Sequence, residues 1–529
     1  MKEKLVLALD LGTSFAKIGV VSIQGEVLAM ESIPSKIIFT KDNGVEQDPE
    51  EWWKIFLEGS RKLLIKDPNL RKNIKGISIS THWSGTVCVD PKGNPIRNAI
   101  IWMDIRGASS LKKKIGGTPS VEGYNIFKLW KLIRLTGGAP GFSGKDSISH
   151  ILFIKEKEPN VFKDTYLFLE PKDYINYKLT GKFFSSYDTI SLHWITDNRN
   201  LHKIQYHPKL LEMFGLPRNK FPELIKPASI IGKILPEIAK DLGIPKDTLV
   251  VSGTPDLQSA AIGSGAVSDF DCHIYIGTSS WISCHLPYKK TDLLHNMATL
   301  PSAIPGKYFL ANEQEIAGYN FTFLKENLFF PKDYLFTGFP CKEEEIYKRF
   351  DELAEKIPPG SNGLIFTPWL SGERTPIEDP YIRGSFLNLS LKTTRAELIR
   401  AVLEGVAYNS KWLFYYVEKF LNKKIKRLNF IGGGAKSDLW SQILADVLNV
   451  QILQIKNPTS VNLRGAGLLA FVTLGMLQWE QIPNTLQVKK VYEPIQENVK
   501  IYNEMFKEFI EIYKKNYKIY KRLNEKLWN

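Results

Sequence analysis

Residues 7–29 read LALDLGTSFAKIGVVSIQGEVLA. An apolar run stops at Asp10, passes through Gly12-Thr13-Ser14 and resumes as a second alternating run. Apolar and polar residues alternate over 4–30 with Gly12 and Gly25 at the turns, which predicts two or three short antiparallel strands. The first turn has two readings, an ordinary hairpin or a phosphate holder. A phosphate needs converging backbone N–H groups, small side chains and hydroxyl donors, and Asp10-Leu11-Gly12-Thr13-Ser14 offers all three.

The same design returns in CHIYIGTSSWISCHL (272–286), where Gly277-Thr278-Ser279 again sits between two strand-like runs. A third turn, Gly432-Gly433-Gly434-Ala435, follows the strand-like RLNFI and opens a helix. It offers a surface free of side chains, suited to a flat nucleoside. One such turn alone is more often just a turn; three at strand ends, in this order, favour a nucleotide site. The repeat also suggests two related domains.

The rest of the chain is read more coarsely. EQDPEEWWKIFLEGSRKLL predicts a helix with Asp48 as N-cap, Pro49 at its first position, and Glu50 and Glu51 in its first turn. Strands are expected at IKGISIS (74–80) and PIRNAIIWMDIRG. EPKDYINYKLTGKF predicts a helix stopped by glycine. TLVVSGTPDLQSAAIGSG (248–265) reads strand, turn, helix. TTRAELIRAVLEGVAYNSKWLFYYVEKFL predicts a helix with a capping box from Thr394 to Glu397. A chain of 529 residues should form two or more domains. The expected division is 1–250, 251–478, and a helical tail over 479–529.

Composition is that of an ordinary globular protein, 43% hydrophobic and 24% charged. The net charge is +14, but lysines are spread along the chain, so a solvated surface is favoured over a nucleic-acid patch. The four cysteines (Cys88, Cys272, Cys284, Cys341) lack metal-ligand spacing. Cys272 and Cys284 could face each other across a hairpin, and two unpaired buried thiols is the favoured reading. The N-terminus does not read as a signal peptide, and no run approaches the ~18 apolar residues of a membrane span. A cytoplasmic protein is expected, with no nucleic-acid or membrane partner and with a homodimer left open.

Most standard catalytic motifs are absent: no GxxxxGK[ST], no HExxH, no GxSxG and no spaced Cys/His cluster. Two carboxylates stand out. Asp10, beside the first phosphate turn, is placed to hold Mg²⁺, which binds through few carboxylates and keeps its waters. Asp256, in SGTPDLQS, could take a proton from a substrate hydroxyl or could simply cap the helix beginning near 257.

Taken together, LALDLGTSFAKIGV, EQDPEEWW, FLEPKDYINYKLTG, VSGTPDLQSAAIGSG, IGTSS, FTPWLSGERTP, RAVLEGVAYN and GGGAKSDLWSQILADVLN resemble the FGGY carbohydrate kinases. These lie within the superfamily of actin, sugar kinases and heat-shock ATPases, and the resemblance covers about 4–475. EQDPEEWW, LSGERTP and GGGAKSDLW are similar to the xylulokinase branch. The resemblance implies an α/β fold of two actin-like (ribonuclease H-like) domains, with ATP and sugar in the cleft between them. It implies Mg²⁺ at Asp10, phosphate contacts from Thr13, Ser14 and Lys17 on one side and Gly277, Thr278 and Ser279 on the other, and adenosine against Gly433, Gly434 and Ala435. It implies Asp256 as the base that activates the sugar hydroxyl.

The sugar side departs from that pattern. Xylulokinases carry Gln-Met-His-Gly where this chain has His82-Trp83-Ser84-Gly85, so Ser84 replaces the sugar-contacting His. Leu257 follows the base where Asn or Gln is usual, and Phe153 stands where Trp is usual. The Trp-x-Asp-x-Arg element is kept as Trp102, Asp104 and Arg106. Trp83 and Trp102 either stack on a sugar or pack a core. His82 either contacts the sugar or supports residues that do, and Asp104 and Arg106 are candidates to bond its hydroxyls. The implied reaction is ATP-dependent phosphorylation of a ketopentose such as D-xylulose. Ribulose, gluconate, another ketose or a polyol are alternatives, and a non-catalytic sugar or nucleotide sensor is a further one.

Overall fold

The computed structural model describes residues 4–330 and 345–527. The opening stretch forms three antiparallel strands, β1 (Leu5–Leu11), β2 (Phe15–Ser22) and β3 (Val27–Pro34). Helix α1 (Pro49–Lys66) starts on the Asp48 side chain, which accepts from the Glu50 N–H, with Pro49 at its first position. The chain then returns as β4 (Ile74–Thr81), parallel to β1 on the side away from β2. An insertion carrying α2 (Ser147–Lys157) and α3 (Pro171–Thr180) follows, and Gly181 ends α3 in the left-handed conformation that glycine adopts without steric cost. Strands β5 (Ile230–Lys233) and β6 (Leu249–Val251) complete a first sheet in the order β5-β6-β4-β1-β2-β3.

Helix α4 (Asp256–Gly263) leads to the second hairpin, β7 (Cys272–Ile276) and β8 (Ser280–Leu286), which β9 (Met297–Pro301) and β10 (Tyr308–Ala311) extend. Helix α5 (Arg395–Leu421) opens with the Thr394–Glu397 capping box. Next come β11 (Arg427–Ile431), α6 (Asp438–Leu448), β12 (Gln451–Ile455), α7 (Val461–Thr473), β13 (Val488–Tyr492) and α8 (Gln496–Asn524). The second sheet runs β9-β10-β8-β7-β11-β12-β13, with the two-residue strand Thr291–Asp292 outside β9.

The two sheets share one plan. In each, the first strand of a hairpin lies parallel to a later strand, which lies parallel to the next, and an antiparallel strand closes that edge. The molecule is therefore an α/β protein of two actin-like halves. All seven residues of β1 are buried, as befits a central strand covered on both faces.

Helices α4 and α7 join the halves. Helix α7 comes from the second half of the sequence yet packs on β1, β2 and β4 of the first sheet, with α4 beside it. The two helices meet at glycines. A Cβ on Gly465 would lie 1.9 Å from the Ser259 carbonyl oxygen, and one on Gly263 would lie 1.9 Å from that of Val461. A Cβ on Gly467 would run into Val21. Only bare backbone allows this approach.

Two expectations are revised and one holds. PIRNAIIWMDIRG keeps only Ala99–Ile100 as strand, because the chain bends at once to seat Asp104 under Val45 and Arg106. The last fifty residues are more than a helical tail: β13 is an edge strand of the second sheet, and α8 buries Tyr502 and Phe509. Tyr502 completes a buried cluster with Arg400 and Glu404. Cys272 and Cys284 are direct cross-strand partners, buried and free, and Cys341 lies outside the described residues.

The helix crossing yields a test. Alanine at Gly465 should gain about 1 kcal/mol of helix propensity. Insertion into a contact this tight costs about 1–3 kcal/mol or more. We expect the clash to win, so that Gly465→Ala lowers stability in urea denaturation by at least about 1 kcal/mol.

Candidate active site

The pieces of the site come from both halves. Asp10 is the penultimate residue of β1, 3% exposed, and its register partner on β2 is Lys17. The Lys17 ammonium lies 3.5 Å from the Asp10 carboxylate and donates to the Thr459 carbonyl at 2.8 Å. The Asn462 amide of α7 donates to Asp10 at 3.3 Å. Asp10 is thus held by its own hairpin and by the helix arriving from the other half.

Between β1 and β2 the chain turns tightly, the Gly12 N–H bonding the Phe15 carbonyl at 3.0 Å. Ser14 is exposed. Thr13 is fixed on both sides: its hydroxyl accepts from the Trp102 indole N–H at 2.8 Å and its carbonyl from the Gln47 amide at 2.8 Å. The second turn mirrors the first. The Gly277 N–H bonds the Ser279 carbonyl at 2.9 Å, and the carbonyls of Gly277 and Thr278 accept from the N–H groups of Gly318 and Ala317, both at 2.8 Å. Thr278 is exposed while Ser279 is nearly buried. In the third turn Gly432 has φ +91°, and a Cβ there would strike the Ile276 carbonyl. A Cβ on Gly433 would meet nothing within 4 Å, so this position faces open space.

Asp256 is the first residue of α4 rather than its cap; Pro255 occupies the cap position. Its carboxylate accepts from the Leu257 N–H at 2.8 Å. Loss of solvent, then the nearby charges of Asp10 and Glu313, push its carboxyl well above the usual range. Asp10 and Asp256 thus converge from two elements that α7 ties together. The Asp10 carboxylate is a hard oxygen donor, fit for a divalent cation that keeps most of its waters. Among the described residues no group of three or more His, Cys, Asp or Glu gathers into a metal cluster.

One further group was not foreseen from sequence. Arg374, in the ERTP stretch, pairs with Glu313 at 3.0 Å and with Glu315 at 2.5 Å, and Glu315 also pairs with Lys145 at 2.7 Å. The Arg374 guanidinium and the Lys145 ammonium lie 5.5 and 5.8 Å from the Trp102 ring. This cluster bridges the halves at Trp102. Its only signals in the sequence are ERTP itself and the acidic alternation of Asn312-Glu313-Gln314-Glu315.

The expected sugar-side residues divide. Trp102 belongs to the group above. Trp83 packs in the core, donating its indole N–H to the Thr189 carbonyl at 2.8 Å. Ser84, at φ +61°, donates to the Lys145 carbonyl at 2.7 Å. His82 is 2% exposed beside Trp52, and both ring nitrogens lack a protein partner. Burial lowers its pKa to about 4, so the ring is neutral. Asp104 and Arg106 face each other rather than open space. Arg106 binds Asp104 at 2.7 Å, Glu46 at 2.6 Å and Asp42 at 2.9 Å, and lies over Phe153.

Two halves that each carry a phosphate-type turn, with carboxylates between them, define a phosphotransferase on an actin-like fold. The comparisons agree. The N-terminal and C-terminal domain models of the FGGY family of carbohydrate kinases match residues 5–263 and 272–474. The chain belongs to that family, and within it to the xylulokinase-like branch. It is 30% identical to a xylulose kinase of Staphylococcus epidermidis over 537 aligned positions, covering 100% of this chain and 99% of the relative. Crystal structures of a gluconate kinase and of a ligand-bound xylulose kinase, both from Lactobacillus acidophilus, superpose with a TM-score of 0.84. Each is 27% identical, covering 98% of this chain and 100% of the other. The protein is a carbohydrate kinase, and among the described residues no helix is long and apolar enough to cross a membrane.

The Arg106 cluster gives the second test. Removing the cation leaves Glu46 and Asp104 buried with less compensation, and breaking such a buried pair costs about 3–5 kcal/mol. Arg97 still holds Glu46, which places the expected loss for Arg106→Ala in urea denaturation toward the lower end, about 3 kcal/mol.

Proposed function

We infer that this kinase transfers the γ-phosphate of ATP to a hydroxyl of a ketopentose, with D-xylulose as the first choice. The observation that carries the reading is Asp256. It stands at the start of α4 near Asp10 and Glu313, and Glu313 pairs with the Arg374 that lies beside the Trp102 ring. Its raised proton affinity suits a base that must take a proton from an alcohol.

In this reading the sugar hydroxyl gives its proton to Asp256 as its oxygen attacks the γ-phosphorus, and ADP leaves on the opposite side. Asp10 is the group that would hold Mg²⁺, which would supply charge neutralisation to the phosphates when bound. Thr13, Ser14 and Lys17 face the phosphates from the first half, and Gly277, Thr278 and Ser279 from the second. Adenosine lies along Gly433, Gly434 and Ala435, where the open space over Gly433 supports a flat ligand. His82, Ser84 and Trp102 line the sugar side, with Trp83 packed in the core behind them and Asp104 and Arg106 shaping it from beneath. We place the reaction in the cytoplasm, where ATP and free sugars meet.

The second reading is an aldonate such as gluconate. Equal similarity to the Lactobacillus gluconate kinase supports it, as do the Lys145 and Arg374 cations beside Trp102.

The test is ADP release from Mg·ATP with D-xylulose, D-ribulose, L-ribulose, L-xylulose, D-fructose, gluconate, erythritol or glycerol. We expect D-xylulose to give the highest kcat/KM. Preference for gluconate would replace the first reading with the second, and silence with all eight would overturn both. Asp256→Asn should lower kcat about 10²- to 10⁴-fold with ATP binding retained. Without metal and nucleotide it should also raise the melting temperature, because it removes a desolvated carboxylate from beside Asp10 and Glu313. A variant that is fully active would remove Asp256 from the base role.

A further inference from the structure

Behind the His82–Gly85 loop lies a buried polar chain that the reaction above does not use. Glu170, the residue before α3, is 1% exposed. One carboxyl oxygen accepts from the Gly85 N–H at 3.1 Å, and the other lies 2.5 Å from the Ser147 hydroxyl at the start of α2. Ser147 lies 3.4 Å from the Ser84 hydroxyl, which donates to the Lys145 carbonyl at 2.7 Å. Lys145 is the residue whose ammonium meets Glu315 of the second half and the Trp102 ring. Trp102 in turn holds Thr13 of the first phosphate turn.

The loop needs such a tie. Ser84 sits in the left-handed region, which costs a non-glycine residue about 1–2 kcal/mol. Gly85 is pressed against the ring of Pro171, where a Cβ would lie 2.4 Å from a ring carbon. Neither position is relaxed, so the loop holds this shape because its surroundings impose it.

We propose that Glu170 is a positioning residue, whose carboxyl clamps the Ser84–Gly85 turn to the start of α2 and so sets where Lys145 and Trp102 stand against the sugar. This rests on the reading that the His82–Gly85 loop and Trp102 form the sugar side.

The donors fix the form of the clamp. The Ser147 hydroxyl donates to one Glu170 oxygen and the Gly85 N–H donates to the other, so the two carboxyl oxygens act as acceptors on the two sides of the turn. Both bonds favour the carboxylate and work against burial, which raises the Glu170 pKa to about 8. The neighbouring His193, 3.6 Å away, is itself pushed down to about 3 by burial and is uncharged.

The test compares Glu170→Gln and Glu170→Ala on the full chain, with whichever sugar of the panel the parent enzyme turns over best. Glutamine keeps an oxygen to accept from the Gly85 N–H and an amide to meet the Ser147 hydroxyl oxygen, and should keep the sugar KM. Alanine orphans the Gly85 N–H and should raise the sugar KM about tenfold, with the ATP KM unchanged. Hydrogen exchange of the peptide spanning His82–Thr86 should quicken in the alanine variant and not in the glutamine variant. An unchanged sugar KM with alanine, or an equal rise in both variants, would overturn the proposal. If the parent turned over no sugar, the functional reading would fail, and the exchange measurement alone would decide the clamp. If alanine prevents folding, Ser147→Ala decides it: it removes one arm of the clamp and should raise the sugar KM, and an unchanged sugar KM would overturn the proposal.

Discussion

Everything in the active site depends on how closely two helices cross. Helix α4 begins with Asp256, and helix α7 carries Asn462, which bonds Asp10. The distance between the two carboxylates is therefore set by the packing of α4 on α7, and that packing exists only because Gly263 and Gly465 present backbone to backbone. The Ser259 hydroxyl, donating to the Asn462 carbonyl at 2.8 Å, pins the same crossing from the side. A helix from the second half of the chain lies on the first sheet, so neither half has a complete site without the other.

This arrangement stores electrostatic tension. Asp10, Asp256 and Glu313 converge with Lys17 and Arg374 as the nearby cations. Like charges drawn together out of water raise proton affinity and cost stability. A fold selected for stability alone would dilute them. The proposed base and cation site would concentrate them, and the rigid glycine crossing keeps them from relaxing apart.

Much of this was legible. Asp10, the three glycine turns, the N-caps at Asp48 and Thr394 and the two related hairpins all follow from local chemistry. Turn geometry, capping and strand alternation are set by residues within a few positions of one another. The facing of Cys272 and Cys284 was legible for the same reason, since a short hairpin fixes its own register. Less could be read of the sugar side. Nothing local shows that the guanidinium of Arg106 is occupied by Asp104, Glu46 and Asp42, or that Trp83 turns into the core while Trp102 does not. The Arg374, Glu313, Glu315 and Lys145 group joins four positions scattered over some two hundred residues.

The sequence by itself determined the secondary structure at its punctuated points and the repeat of a strand, Gly-Thr-Ser turn and strand, because both rest on short-range constraints of backbone and side-chain type; the class of chemistry entered through the resemblance to the FGGY kinases. Only the tertiary structure decided that the last fifty residues complete the second half and that Asp256 begins its helix without capping it. It alone decided which polar groups are consumed by each other and which face the space between the halves. Those outcomes follow from long-range packing, where a buried charge takes the nearest partner the fold brings to it, however far away that partner lies along the chain.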